Sequence, residues 1–205
     1  MSTVNAQLAG YDRAWKVLRL VLGPLIRLLL RPRIAGRRNV PVSGPVLIVS
    51  NHESWWDIPA LGWSQPRSIR YMAKRELWGY VTLAWLLRWG GAFPVRRGEP
   101  DRDALRTVHE TVEGGGVVGI FIQGHRQAEL EGAKAGAGRC AVVEDVPVVP
   151  AAIRGTGAWR PGRRIAIVFG EPRTYERGDR RPGEAYRETA DELMAEIRRL
   201  YETAG

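Results

Sequence analysis

Three apolar runs constrain what this chain can fold into: Val46-Leu47-Ile48-Val49, Val117-Val118-Gly119-Ile120, and Val146 to Ile153. They are short, rich in β-branched residues and bounded by turn formers, as strands buried inside a sheet are. Helical periods lie between and after them. Asp101 caps a segment whose Leu105, Val108 and Val112 recur every three to four residues, until Gly114-Gly115-Gly116 stops it. Leu77 to Trp89 reads as an apolar helix carrying Trp78, Trp85 and Trp89 and ended by Gly90-Gly91. Glu184 to Tyr201 places Tyr186, Ala190, Leu193, Ile197 and Leu200 on one face, and Ile58 to Trp63 begins a shorter helix. Arg70 to Ala73, Phe93 to Val95 and Ile165 to Phe169 add strands. Strands alternating with helices imply a single-domain α/β fold, its sheet covered on both faces. A chain of 205 residues is long enough to bury a proper core.

The N-terminal part reads differently. Residues 1 to about 10 are expected to be disordered. From Tyr11 to Arg31, Lys16, Arg19, Gly23, Arg27 and Arg31 step by three or four and form one polar stripe on a helix. Leucine, valine and isoleucine fill the remaining, very wide face, and Pro24 is expected to kink or divide the helix. So wide an apolar face suits a helix lying in a membrane interface, with half of it packed on the core as the competing reading. Val17 to Leu30 is too short, and too interrupted by Arg19, Gly23-Pro24 and Arg27, to span a bilayer. It does not read as a signal peptide, because acidic and basic residues precede it and no small-residue cleavage site follows. The net charge of +9, from 31 Lys and Arg against 22 Asp and Glu, attracts polyanions. The arginines are interleaved with leucine and tryptophan, which favours an anionic membrane surface over nucleic acid. Residues 1–33 are therefore read as a membrane-docking segment and 34–205 as the α/β domain. The protein is expected at the cytoplasmic face of the cell membrane, peripheral or monotopic.

The chemistry concentrates in Ser50-Asn51-His52-Glu53-Ser54-Trp55-Trp56-Asp57. A strand end delivers the imidazole of His52 to a surface, and Asp57 lies close enough in sequence to hold one ring nitrogen. The other nitrogen is then free to take a proton from an alcohol, with no nucleophilic side chain specified beside it. Ser54 reads as a helix cap. Cys140 is the only cysteine, which excludes a disulfide framework and a Cys-based zinc site. The histidines show no metal-ligand spacing, so neither metal nor cofactor is expected. Gly114-Gly115-Gly116 follows a helix and lacks a phosphate-loop lysine, so it does not signal a nucleotide site.

Three further segments change the weight of that dyad: Gly91-Ala92-Phe93-Pro94-Val95-Arg96-Arg97-Gly98, Phe121-Ile122-Gln123-Gly124-His125-Arg126-Gln127, and Val146 to Ile153. With Ser50 to Asp57, in this order, they resemble the four motifs of the glycerolipid acyltransferase family, which includes the 1-acylglycerol-3-phosphate O-acyltransferases. The resemblance runs from about Ile34 to Pro172 and takes in Lys134 to Arg139 and Phe169 to Pro172. It implies a mixed sheet flanked by helices, preceded by an N-terminal amphipathic helix or helical hairpin (a glycerol-3-phosphate acyltransferase-like fold). It also implies acyl transfer from acyl-CoA or acyl carrier protein to a lysophospholipid hydroxyl, with 1-acylglycerol 3-phosphate becoming phosphatidic acid. His52 would be the base and Asp57 its orienting partner. Arg97 and Arg126 would grip the acceptor phosphate, and Gln123 and Gly124 would also bind substrate, Gly124 offering an oxyanion donor from its own or a neighbouring amide. Arg96, Arg163 and Arg164 read as solvated charges, and His109 as an ordinary surface or half-buried histidine.

The third motif departs from the family's Phe-Pro-Glu-Gly-Thr-Arg: Ile122, Gln123 and His125 replace Pro, Glu and Thr. Gln123 keeps the reach of a glutamate without its charge, and His125 adds a titratable group. The departure leaves open another lipid acceptor, such as a lyso-ornithine lipid or a glycolipid, and a membrane-binding pseudoenzyme of the same fold.

Overall fold

The computed structural model describes residues 3–96, 101–127, 129–160 and 163–204. Among them seven strands form one sheet: β1 (Arg33–Ala35), β2 (Val46–Ser50), β3 (Ile69–Lys74), β4 (Phe93–Val95), β5 (Val117–Phe121), β6 (Val148–Arg154) and β7 (Ala166–Phe169). Their order is β1-β7-β6-β2-β5-β3-β4. The five strands from β6 to β4 run parallel, while β7 pairs antiparallel with β6 and carries β1 parallel to itself. The helices are α1 (Thr3–Leu30), α2 (Asp57–Ser64), α3 (Val81–Trp89), α4 (Arg102–Glu113), α5 (Ala135–Val143) and α6 (Pro182–Thr203).

β2 shows why the apolar runs dictate this architecture. All five of its residues are buried, and successive side chains point to opposite faces. Leu47 and Val49 join Ala104, Val108 and Val112 of α4, Cys140 of α5, and Leu193 and Ile197 of α6. Val46 and Ile48 join Leu30 of α1 and Ala60 and Leu61 of α2 on the other face. Burying a Leu, Ile or Val side chain fully stabilises the fold by roughly 1.5–3 kcal/mol, so both faces require a helical cover.

Four expectations are corrected. α1 starts at Thr3 and runs unbroken through Pro24. Pro24 and Leu20 are exposed, so the carbonyl deprived of its intrahelical partner can bond to water. Arg19 and Gly23 do not belong to a solvent-facing stripe. The Arg19 guanidinium donates to the Gln65 carbonyl, and Gly23 lies against the Trp63 indole. The expected helix from Leu77 is divided: a 3-10 turn at Arg75–Gly79 precedes α3. β1 and α5 were not foreseen. Gly136 and Gly138 lower the helix propensity of α5, yet a Cβ at Gly138 would lie 1.9 Å from the Tyr186 carbonyl oxygen of α6. Close packing of these two helices requires that glycine.

Candidate active site

β2 lies between β5 and β6, parallel to both, with Ser50 in register with Phe121 and Ala151. The segments that follow these strands therefore leave the sheet at one edge, beyond the carboxyl ends, where open α/β sheets bind ligands. Asn51 secures the exit of β2. Its side-chain amide donates to the Ile153 carbonyl at 2.7 Å and accepts from the Ile153 N–H at 2.8 Å.

His52 and Asp57 meet here. His52 Nδ1 lies 2.8 Å from Asp57 Oδ2, with Asp57 fully buried and His52 only 5% exposed. The same carboxylate oxygen accepts from the backbone N–H of Glu53 at 2.7 Å and of Ser54 at 2.8 Å. Asp57 opens α2, and its own N–H donates to the Ser54 carbonyl at 3.2 Å. The five-residue spacing is thus the span of one tight turn that folds back onto its carboxylate. The Phe121 ring stacks on the imidazole with centroids 3.9 Å apart. Nδ1 engaged by a carboxylate leaves Nε2 as the working nitrogen.

The third-motif residues reach the same edge in different roles. Gln123 is fully buried beneath the site. Its Oε1 accepts from the His52 N–H at 2.9 Å, and its Nε2 donates to the Glu129 carbonyl at 2.6 Å and the Glu131 carbonyl at 3.4 Å. The amide ties the loop after β5 to the turn that carries His52, a second tie being Gln127 N–H to the His52 carbonyl at 2.9 Å. Gly124 has φ +71, the left-handed conformation that favours glycine. Its N–H donates to the Phe121 carbonyl at 3.0 Å, which commits that amide to the turn. Arg126 lies over the Trp55 ring, 4.2 Å from its centroid. Glu53, Ser54, Trp55, His125 and Arg126 line an open cleft of about 380 Å³. Arg97 lies outside the described residues.

The structure adds residues that sequence reasoning passed over. Thr156, in the loop after β6, donates its hydroxyl to Asp57 Oδ1. Glu53 Oε2 accepts from the Gly157 N–H at 3.1 Å and lies 3.3 Å from Thr156 Oγ1. A stretch ending its motif at Ile153 gave no signal for either contact. Ser54 Oγ accepts from the Trp56 N–H at 3.3 Å within the turn, but Trp56 is the residue that precedes α2 and no side chain caps the helix, so Ser54 is not the cap expected of it. Cys140 is buried in α5, and burial first and Glu144 second push its thiol up to about 12, the opposite of an activated nucleophile. His109 is exposed on α4, with Nδ1 3.0 Å from Glu144 Oε2. Among the described residues no group of three or more His, Cys, Asp or Glu side chains could hold a metal ion.

Comparison with known proteins converges on the same segments. Residues 31–154 match the acyltransferase family. A 1-acyl-sn-glycerol-3-phosphate acyltransferase of Bacillus subtilis is 32% identical over 145 residues, covering 68% of this chain and 72% of that protein. A lyso-ornithine lipid O-acyltransferase of Pseudomonas aeruginosa is 38% identical over 68 residues, covering 31% of this chain and 26% of that protein. The crystal structure of the 1-acyl-sn-glycerophosphate acyltransferase PlsC from Thermotoga maritima matches with a TM-score of 0.66 at 24% identity, over 90% of this chain and 81% of that one, and shares its fold. The family match spans β2, β5 and all of β6, the segments after β2 and β5 carrying His52, Asp57, Gln123 and Arg126, and this chain belongs to the acyltransferase family, as an enzyme that transfers an acyl group to a hydroxyl.

Proposed function

We propose that the acceptor is 1-acylglycerol 3-phosphate, that the product is phosphatidic acid, and that the donor is the thioester of acyl-CoA or acyl carrier protein. The observation that carries this reading is an imidazole oriented by Asp57, followed in the chain by Glu53, Ser54 and Trp55, which line a cleft together with His125 and Arg126. His52 Nε2 takes the proton of the lipid hydroxyl as its oxygen attacks the thioester carbonyl. The tetrahedral oxyanion collapses, the C–S bond breaks, and the imidazolium returns the proton to the departing thiolate. With the Gly124 and Gln127 amides engaged, oxyanion stabilisation falls to the His125 or Arg126 backbone. Arg126 pairs with the phosphate, a geometry that guanidinium satisfies at two oxygens. Arg97 takes the same task on the motif resemblance alone.

The test uses purified protein, a labelled acyl thioester and a panel of acceptors: lysophosphatidate, uncharged monoacylglycerol and lyso-ornithine lipid. Arg126→Ala is expected to raise the KM for lysophosphatidate roughly tenfold or more, the loss of about one charge-assisted hydrogen bond, with little change in donor KM. Equal rates with lysophosphatidate and monoacylglycerol would reject the phosphate assignment. A preference for lyso-ornithine lipid would favour the second reading, which the Pseudomonas match supports.

The acceptor's acyl chain lies in a bilayer, so the enzyme must dock. Val17, Leu20, Val21, Leu25 and Leu28 of α1 form an exposed apolar stripe at helical spacing, Leu20 being 78% exposed. Lys16, Arg27 and Arg31 are exposed beside it. No described helix is long and apolar enough to cross a membrane. We infer that residues 1–33 dock this stripe in an anionic leaflet on the cytoplasmic face, each nearby basic residue contributing about 1 kcal/mol. Trp15 and Leu30 of the same helix are buried in the domain, so deleting α1 would unseat the core. The triple variant Leu20→Gln/Val21→Gln/Leu28→Gln avoids this. It is expected to weaken co-sedimentation with anionic vesicles at least tenfold while keeping its melting temperature. Unchanged sedimentation would move docking to the exposed Tyr80, Val81 and Trp85 of the α3 region.

A further inference from the structure

We infer that Thr156 is a positioning residue of the acyl-transfer reaction: its hydroxyl holds the second oxygen of Asp57 and so sets the plane of the carboxylate that orients His52. The inference rests on the reading of His52 as base and Asp57 as its orienter. Asp57 is fully buried, and a buried carboxylate needs donors at both oxygens. Oδ2 has the His52 ring and the Glu53 and Ser54 amides, whereas the contact at Oδ1 is Thr156. Three donors at one oxygen fix its position, but the carboxylate plane can still turn about the line from Cβ to Oδ2. A donor at the other oxygen fixes that rotation, and with it the direction in which Oδ2 receives Nδ1–H.

Thr156 is itself held in place. It is 1% exposed and follows Gly155, whose φ of +90 turns the chain back from β6 toward the end of β2. The next amide, Gly157 N–H, donates to Glu53 Oε2 at 3.1 Å, and the Thr156 carbonyl accepts from Trp159 N–H at 3.3 Å. Glu53 thus latches the 155–157 turn onto the turn that carries His52. A threonine hydroxyl has one proton, and the Asp57 oxygen is closer to it than Glu53 Oε2 is. Its β-branch leaves little χ1 freedom, which suits a fixed donor. A threonine that only satisfied its own turn would not need to face a catalytic carboxylate.

The test compares Thr156→Val, Thr156→Ser, Asp57→Ala and the double variant Thr156→Val/Asp57→Ala, in the full chain, with saturating acyl thioester and acceptor. Thr156→Val is expected to lower kcat roughly 10- to 100-fold, as loss of a hydrogen bond to a charged group does, with both KM values within about twofold. Thr156→Ser keeps the hydroxyl and is expected to restore most of the rate. In the Asp57→Ala background the valine should cost less than about twofold more, because it has lost the group through which it acts. The inference is overturned by a Thr156→Val enzyme with near-wild-type kcat, by equal losses in the serine and valine variants, or by full additivity with Asp57→Ala. If the valine protein does not fold, Thr156→Ala, which cannot overfill the turn, repeats the comparison. Normal turnover in Asp57→Ala itself would overturn the dyad reading as well, which separates that failure from a failure of Thr156 alone.

Discussion

Replacing His52 with alanine is expected to lower turnover roughly 10²- to 10⁴-fold, the usual worth of a positioned general base. The protein should remain folded and should still bind vesicles. The imidazole fills one slot between Phe121 and the Asp57 turn, while Asp57 keeps its other donors at Glu53, Ser54 and Thr156. Asp57→Asn is expected to cost nearly as much. An amide oxygen can still accept from the two backbone N–H groups, but it supplies no charge to an imidazolium at Nδ1. Steady-state rates on the acceptor panel, with circular dichroism as control, decide the matter. A His52→Ala enzyme retaining near-wild-type acyl transfer would sink the mechanism.

The second large effect is expected at Gln123. The family's usual residue at this position is glutamate, so Gln123→Glu brings the chain nearer to the common motif, yet here it should damage the protein. Gln123 Nε2 is a donor to the Glu129 and Glu131 carbonyls, and an ionised carboxylate would set oxygens against oxygens in a fully buried place. Losing one such bond and leaving its partner unsatisfied costs about 1–3 kcal/mol. The loop that carries Arg126 should loosen, and kcat/KM should fall at least about tenfold. The pH dependence has a definite sign. Burial and two carbonyl neighbours would raise the folded pKa of a glutamate there above its unfolded value. The destabilisation should therefore be greatest at high pH and should fade as pH drops through that raised value and the protonated carboxyl becomes a donor again. Thermal melts of Gln123→Glu against wild type across this range check it. A variant as stable as wild type at pH 8 would show that the loop can reorganise around a charge.

Gln123 also marks where sequence reading and structure part. Read along the chain, it was a candidate substrate ligand, because its position in the motif and its hydrogen-bonding reach were all that the sequence offered. Whether a side chain points into the cleft or under it depends on the path of the loop after β5, and residues far away in sequence set that path. Arg19 makes the same point. Its spacing put it on a polar stripe with Lys16 and Arg27, but the packing of α1 on α2 turns it toward the Gln65 carbonyl. The solvent-facing stripe is instead apolar, Val17 to Leu28.

What the sequence by itself determined is everything with a short period or a short reach. Continuous apolar runs rich in β-branched residues announced the buried strands β2, β5 and β6, and with the intervening helical periods they implied an α/β sheet covered on both faces. The Asp101 cap, whose side chain accepts from the Asp103 and Ala104 N–H groups, was legible for the same reason, since partner and signal lie within three residues. So was the pairing of His52 with Asp57, which one turn of chain closes. Only the tertiary structure decided what non-local contacts decide. The parallel register of β2 with β5 and β6 brings residues 52, 123 and 156 to one edge, across as many as 104 positions of sequence between Glu53 and Gly157. It places Gln123 under the loop after β5, Gly124's amide in its own turn, and Thr156 at the second oxygen of the Asp57 carboxylate. No local pattern encodes those partners, because each hydrogen bond joins two segments whose meeting depends on how the sheet orders its strands.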